Sequence, residues 1–182
     1  MFIAKQKRKE NIAEYILYLW QIEDLLRALE FDDGKIRSAL IDPLTIEEKK
    51  KQDTFFWYAG IANILKEEKK ETVGHTRHSL HLINELNYVH LYLLKKDKKY
   101  SNIYNVAKSD IEDFADKSGK RPSNEVETCF DALYSKLLMR MKGMTIFDET
   151  SSAFDRITHM IAYLSAKFKR FEQGEEIYDP EN

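Results

Sequence analysis

The chain has 182 residues, 43% of them hydrophobic and 33% charged, with a formal net charge of −2. That balance excludes a disordered or membrane-embedded chain and supplies no positive field to recruit nucleic acid. Six glycines and three prolines are few for this length, which favours long helices over a sandwich or barrel with its many tight turns.

Cys129 is the single cysteine, so an internal disulfide and a multi-cysteine zinc site are both excluded. A lone thiol suits a reducing compartment. The opening MFIAKQKRKE is basic but has no apolar signal-peptide core behind it. No run approaches the roughly 18 apolar residues of a membrane span. The expectation is a cytoplasmic protein with neither a membrane nor a nucleic-acid partner.

Residues 1–8 read as a short lead. From 9 to 29, Ile12, Tyr15, Ile16, Leu19, Ile22, Leu26 and Leu29 recur at helical steps and define one apolar stripe. Glu23 falls inside that stripe, and a carboxylate facing a core needs a partner. Arg27, one turn on, is the expected partner at the stripe's edge, and a buried polar network is the alternative. A short helix is predicted over 32–41, ended by Asp42-Pro43. Thr45 with Glu48 offers a capping box for a helix reaching about residue 70. Its middle, FFWYAGIANIL at 55–65, is apolar on nearly every face. A central position, covered on all sides, is expected; the alternative is one aromatic face presented to a partner.

The helix predicted over 74–94 carries four of the five histidines. A helical wheel puts His75 and His90 on the core side with Leu82, Ile83, Leu86, Val89, Leu93 and Leu94, where hydrogen-bonded neutral imidazoles are expected. His78, His81 and Glu85 share a neighbouring flank, at a spacing that lets side chains hold one divalent metal such as zinc. The set is incomplete on one helix, and Glu14, Glu23, Asp24 or His159 would have to complete it. A solvent-facing polar flank explains the same residues without a metal or any other cofactor.

Lysines at 95–99 suit a helix C-terminus electrostatically, so they require no nucleic-acid reading. A fifth long helix is predicted over 101–117, with Ile103, Tyr104, Ala107, Ile111 and Phe114 inward. SGKRPSN at 118–124 is the clearest loop and a candidate subdomain hinge. The sixth helix, 124–142, is expected to bury Val126, Phe130, Leu133, Leu137 and Met141, with Arg140 beside that stripe as a buried polar candidate. The last, 148–173, turns Phe154, Ile157, Ile161, Leu164, Phe168 and Phe171 inward.

The string NIAEYILYLWQIEDLLRA at 11–28, the Gly74-His75 pair, LYSKLLMRMKG at 133–143 and Glu149-Thr150 resemble an uncharacterised bacterial family of unknown function. The resemblance spans nearly the whole chain. It implies an all-helical cytoplasmic protein and brings no activity or catalytic residue with it.

Named chemistries fail on spacing. Paired E-x-x-H motifs of a ferritin-like di-metal bundle are absent, as is H-E-x-x-H. Cys129 has no visible activator for nucleophilic work. Ten tyrosines, ten phenylalanines and two tryptophans exceed what a minimal core requires, and such residues anchor partners. The resulting expectation is all-α: one domain over 1–182, an up-and-down or two-layer bundle of six long helices and one short one. Its function is read as non-enzymatic binding or scaffolding, with a homodimer or a protein partner; the alternative is a metal-binding bundle using His78, His81 and Glu85.

Overall fold

In the computed structural model, which describes residues 2–119 and 122–177, the chain is all-α, with no strand among the described residues. The helices are α1 (Phe2–Glu10), α2 (Ile12–Ala28), α3 (Asp33–Ile36), α4 (Glu48–Glu67), α5 (Arg77–Lys96), α6 (Lys98–Ser118), α7 (Glu125–Met141) and α8 (Asp148–Glu172). The six long helices are those predicted. The second short one is α1, where a short lead with a solvated helix start was expected. Asn11 separates it from α2: its Oδ1 accepts the Ala13 N–H at 2.9 Å, satisfying a donor that the start of a helix leaves orphaned.

Short polar side chains open three further helices in the same way. Asp32 accepts from Lys35 N–H before α3, Asp97 from Tyr100 N–H before α6, and Asn124 from Glu127 N–H before α7. Each such cap contributes about 1 kcal/mol. The box expected at Thr45 does not form; α4 starts three residues later, after Glu47, whose side chain makes no capping bond. The lysines of 95–99 are exposed and two of them close α5, as expected, but Asp97 between them is 1% exposed.

Two units divide the chain: residues 1–10 with 14–80, and residues 11–13 with 81–182. The loop expected at 118–124 lies inside the second, and residues 120 and 121 of it are outside the described set. Among the described residues no helix is long and apolar enough to cross a membrane.

In the first unit, Ile22, Leu26, Ile36, Ile41, Phe55, Tyr58, Ala62 and Leu65 form one buried cluster. Complete burial of a side chain such as Leu26 or Leu65 contributes about 1.5–3 kcal/mol. After α3 the chain widens into a π-helical turn, Arg37–Ile41, closed by Asp42 N–H to the Arg37 carbonyl at 2.9 Å. The wider turn brings residues five apart nearer to one face, so Ile36 and Ile41 both reach the core. The α4 helix is not covered on all sides. Phe55, Tyr58 and Ala62 are buried, while Phe56 is 61% and Ile64 41% exposed.

In the second unit α6, α7 and α8 pack on one another around Tyr100, Ala107, Ile111, Val126, Phe130, Ile157, Met160, Ile161 and Leu164. Met141 and Phe171, expected inside, are exposed at 68% and 41%. Both lie in the last turn of their helices.

Candidate functional site

The first unit builds its polar centre on Glu23. Gly74 adopts φ +88°, a left-handed turn that suits glycine, and a Cβ there would meet Lys70 Nζ at 3.1 Å. Arg27 fastens this turn from α2. Its Nε donates to the Lys70 carbonyl at 3.1 Å and its Nη2 to the same oxygen at 2.9 Å, and Nη2 also donates to the Gly74 carbonyl. Arg27 pairs with Asp24 at 2.7 Å. Glu23 is therefore not its partner, contrary to the expectation from spacing. A guanidinium presents a planar fork of donors, and this one clasps backbone carbonyls.

The fastened turn delivers the next two residues onto Glu23. Oε2 of Glu23 meets His75 Nδ1 at 2.7 Å. Oε1 accepts the Thr76 hydroxyl at 2.8 Å and the Thr76 N–H at 3.2 Å. Glu23 is 1% exposed, so these bonds replace the water that burial removes. Trp20, fully buried, stacks flat on His75 with ring centroids 3.7 Å apart and planes 4° from parallel.

Beside this network is a partly open pocket of about 160 Å³, lined by Tyr15, Leu19, Glu23, Trp57, Ile61, Ile64, Thr76 and His78. A carboxylate holding imidazole Nδ1 is the orienting half of a hydrolytic triad, but the hydroxyls nearby are engaged. Ser79 Oγ donates to the Thr76 carbonyl at 3.0 Å, and Thr76 Oγ1 serves Glu23.

His78, His81 and Glu85 do not converge. His78 meets the Tyr15 hydroxyl at 3.4 Å through Nε2, with its ring edge-on to the phenol. His81 Nε2 lies 3.7 Å from Glu85 Oε1, both side chains largely in solvent. The residues considered for completing the set have other arrangements: Glu14 bridges to Lys7, Asp24 to Arg27, and His159 is exposed. Among the described residues no three His, Cys, Asp or Glu side chains are grouped to hold a metal ion.

A family model for a domain of unknown function, DUF4924, matches residues 1–175. The chain belongs to that family. No curated protein and no solved structure matches it.

The second unit of this DUF4924 chain has polar networks of its own, and they read as structural. His90, fully buried, shares a 2.7 Å bond between Nδ1 and the Tyr100 hydroxyl. Its Nε2 faces Glu125 Oε2 at 3.5 Å, close enough for charge attraction but too long for a good hydrogen bond. Burial pushes the imidazole down from its ordinary value, against the opposing pull of Glu125. Tyr104 donates to both Glu125 oxygens at 3.1 Å; burial first, then that carboxylate, pushes its phenol up to about 12. Tyr100 is raised as well, chiefly by burial. Both phenols are therefore held in the protonated form, not as reactive phenolates. Cys129 is buried, and burial pushes its thiol up, away from the reactive thiolate.

Asp97 anchors a second network. Its Oδ1 caps Tyr100 N–H at 2.8 Å, and its Oδ2 accepts from Tyr163 at 3.0 Å and pairs with Lys167 at 2.9 Å. A cavity of about 270 Å³ in this unit is lined in part by Asp110, Asp113, Lys117 and Arg156. Arg156 and Asp110 neutralise each other in a two-pronged bridge of 2.6 and 2.8 Å, and Lys117 lies 3.7 Å from Asp113.

Arg140 is exposed, not a buried polar residue. Lys136, one turn earlier on α7, is the buried cation and pairs with Asp155 at 2.6 Å. Pattern reasoning passed over Thr76 and Ser79, whose signal was a T-x-x-S spacing at a helix start. It also passed over Asp97 and Lys167, which look like ordinary surface charges in a lysine-rich stretch.

Proposed function

We propose that the chain is a cytoplasmic, non-enzymatic binding domain whose site is the pocket beside Glu23. One observation supports this most directly: a buried carboxylate, held from behind by His75 and Thr76, lines a pocket walled by Leu19, Trp57, Ile61 and Ile64. Few oriented polar groups in a mostly apolar concavity is the ordinary make-up of a ligand site. The volume, about 160 Å³, suits a benzene-sized body, for which an apolar cavity of roughly 150 Å³ suffices. A ¹⁵N-labelled sample titrated with benzene-sized compounds of positive, zero and negative charge tests it. Shifts centred on Tyr15, Leu19 and the Trp57 indole N–H are expected. If no compound of any charge moves those signals, the pocket is not a binding site.

Self-association is a second reading, supported by the uncovered side of α4, where Phe56 and Ile64 stand in solvent. Light scattering over a concentration series checks it, and a monomer at every concentration would remove it.

A further inference from the structure

Resting on the binding reading above, we propose that the pocket beside Glu23 selects a small organic cation: an ammonium group on a benzyl- or butyl-sized apolar stem. Charge comes first. The lining contains one carboxylate, Glu23, and neither Lys nor Arg. Two cations close by in sequence are engaged elsewhere: Arg27 holds Asp24 and two backbone carbonyls, and Lys7 bridges to Glu14. Arg8 makes its charge felt at Tyr15 and has contacts of its own.

The second argument is the count of acceptors. A carboxylate offers about four lone-pair sites. Three are taken in the folded chain, by the Thr76 hydroxyl, the Thr76 N–H and His75 Nδ1. One acceptor direction therefore remains on a group that lines the pocket. The two Thr76 donors that hold Glu23 carry no charge. An ammonium supplies both the missing donor and the counter-charge. A neutral alcohol supplies only the donor, and a carboxylate ligand would bring a second negative charge beside the first.

Third, the walls suit a cation with an apolar stem. Trp57 and Tyr15 line the pocket, and aromatic faces attract ammonium groups. Leu19, Ile61 and Ile64 offer the stem an apolar surface, and the volume sets its size. The same chemistry is carried by a free amine and by a lysine side chain of a partner protein.

Calorimetric titration of the full chain at pH 8 tests the proposal. The probes are benzylammonium, benzyl alcohol, benzoate, and Nα-acetyl-lysine methylamide as the peptide-borne alkylammonium. Benzylammonium should bind at least about tenfold tighter than benzyl alcohol, as expected of a charge-assisted bond, with benzoate not detected. Comparable binding of the lysine derivative assigns the source to a partner's side chain; its failure beside benzylammonium assigns a free amine. Glu23→Gln keeps the shape and should erase the preference. Should that variant not fold, Ile64→Trp, placed at the exposed rim, should block both ligands. Benzyl alcohol binding as tightly as the amine, or benzoate binding at all, overturns the cation proposal and leaves the pocket a binding site. Failure of every probe overturns both. An ammonium preference that survives Ile64→Trp places the binding elsewhere and also overturns the proposal.

Discussion

Replacing Asp97 by Asn puts a number on the buried pair of the second unit. The amide keeps an oxygen for Tyr100 N–H, so the cap on α6 survives. Its NH₂ then faces two donors, Lys167 Nζ and the Tyr163 hydroxyl, where a carboxylate oxygen accepted from both. The Lys167 side chain is 11% exposed, and its ammonium is left without a counter-charge. Removing one partner of a buried pair costs about 3–5 kcal/mol, and the low end is expected here because the ammonium keeps some contact with solvent. Urea unfolding of wild type and Asp97→Asn, followed by circular dichroism at pH 7 and pH 2.5, measures it. Burial alone would push the Asp97 carboxyl up, but the bonds from Tyr100 N–H, Lys167 and Tyr163 outweigh it and hold it below its ordinary value. A carboxyl depressed on folding stabilises the chain above its unfolded pKa, about 3.9, and that contribution is lost as pH falls through the folded value. The gap between the two proteins should therefore narrow at pH 2.5. Adding Lys167→Met to Asp97→Asn should recover part of the loss at pH 7, because the lone ammonium goes with it. A loss at pH 7 below about 1 kcal/mol, or a gap equally wide at both pH values, refutes the reasoning.

Three further outcomes follow from the same physics. Thr76→Val keeps the shape and removes the hydroxyl from Glu23, so urea unfolding at pH 7 should show a loss of about 1.5–3 kcal/mol, the usual worth of a hydrogen bond to a charged group. His90, held down by burial, resists the proton that the unfolded chain accepts near the ordinary value of about 6.5. Its contribution is present above that pH and is lost as pH falls, so the decline in stability between pH 7 and pH 5 should be shallower in His90→Phe. Cys129, buried and with its thiol pushed up, should resist a colorimetric disulfide reagent at pH 8 in the native chain and react at once in urea; prompt reaction without urea would contradict its burial.

Much of the fold was legible because helical periodicity records one-sided burial directly. Ile16, Leu19, Ile22 and Leu26 on α2, and Leu82, Ile83, Leu86, Val89 and Leu93 on α5, are buried as their spacing required. What periodicity cannot show is which of two apolar sides is covered, so Phe56 and Ile64 were placed inside along with Phe55 and Tyr58. Ends were missed for a related reason: Met141 and Phe171 continue a stripe into the last turn of their helices, where both are exposed. At the site, Glu23 and His75 stood out as polar residues on apolar faces, and both are where the polar chemistry lies. Their pairing was not legible. It joins positions 52 apart through a turn clasped by Arg27, whereas an i,i+4 rule sees only neighbours on one helix and so gave Arg27 to Glu23. The histidine flank misled in the opposite sense, since shared helical phase puts side chains on one side without making them converge on a point.

The two tryptophans sit in unlike surroundings, with an optical consequence. Trp20 is sealed from water with an imidazole plane against its face, so its emission changes when that contact is lost. Trp57 is half-buried and lines the pocket beside Glu23. The colour of Trp57 emission therefore follows what fills the pocket, while a change in Trp20 emission marks separation of α2 from the 75–76 turn. One chromophore reports occupancy and the other reports integrity, with no label added.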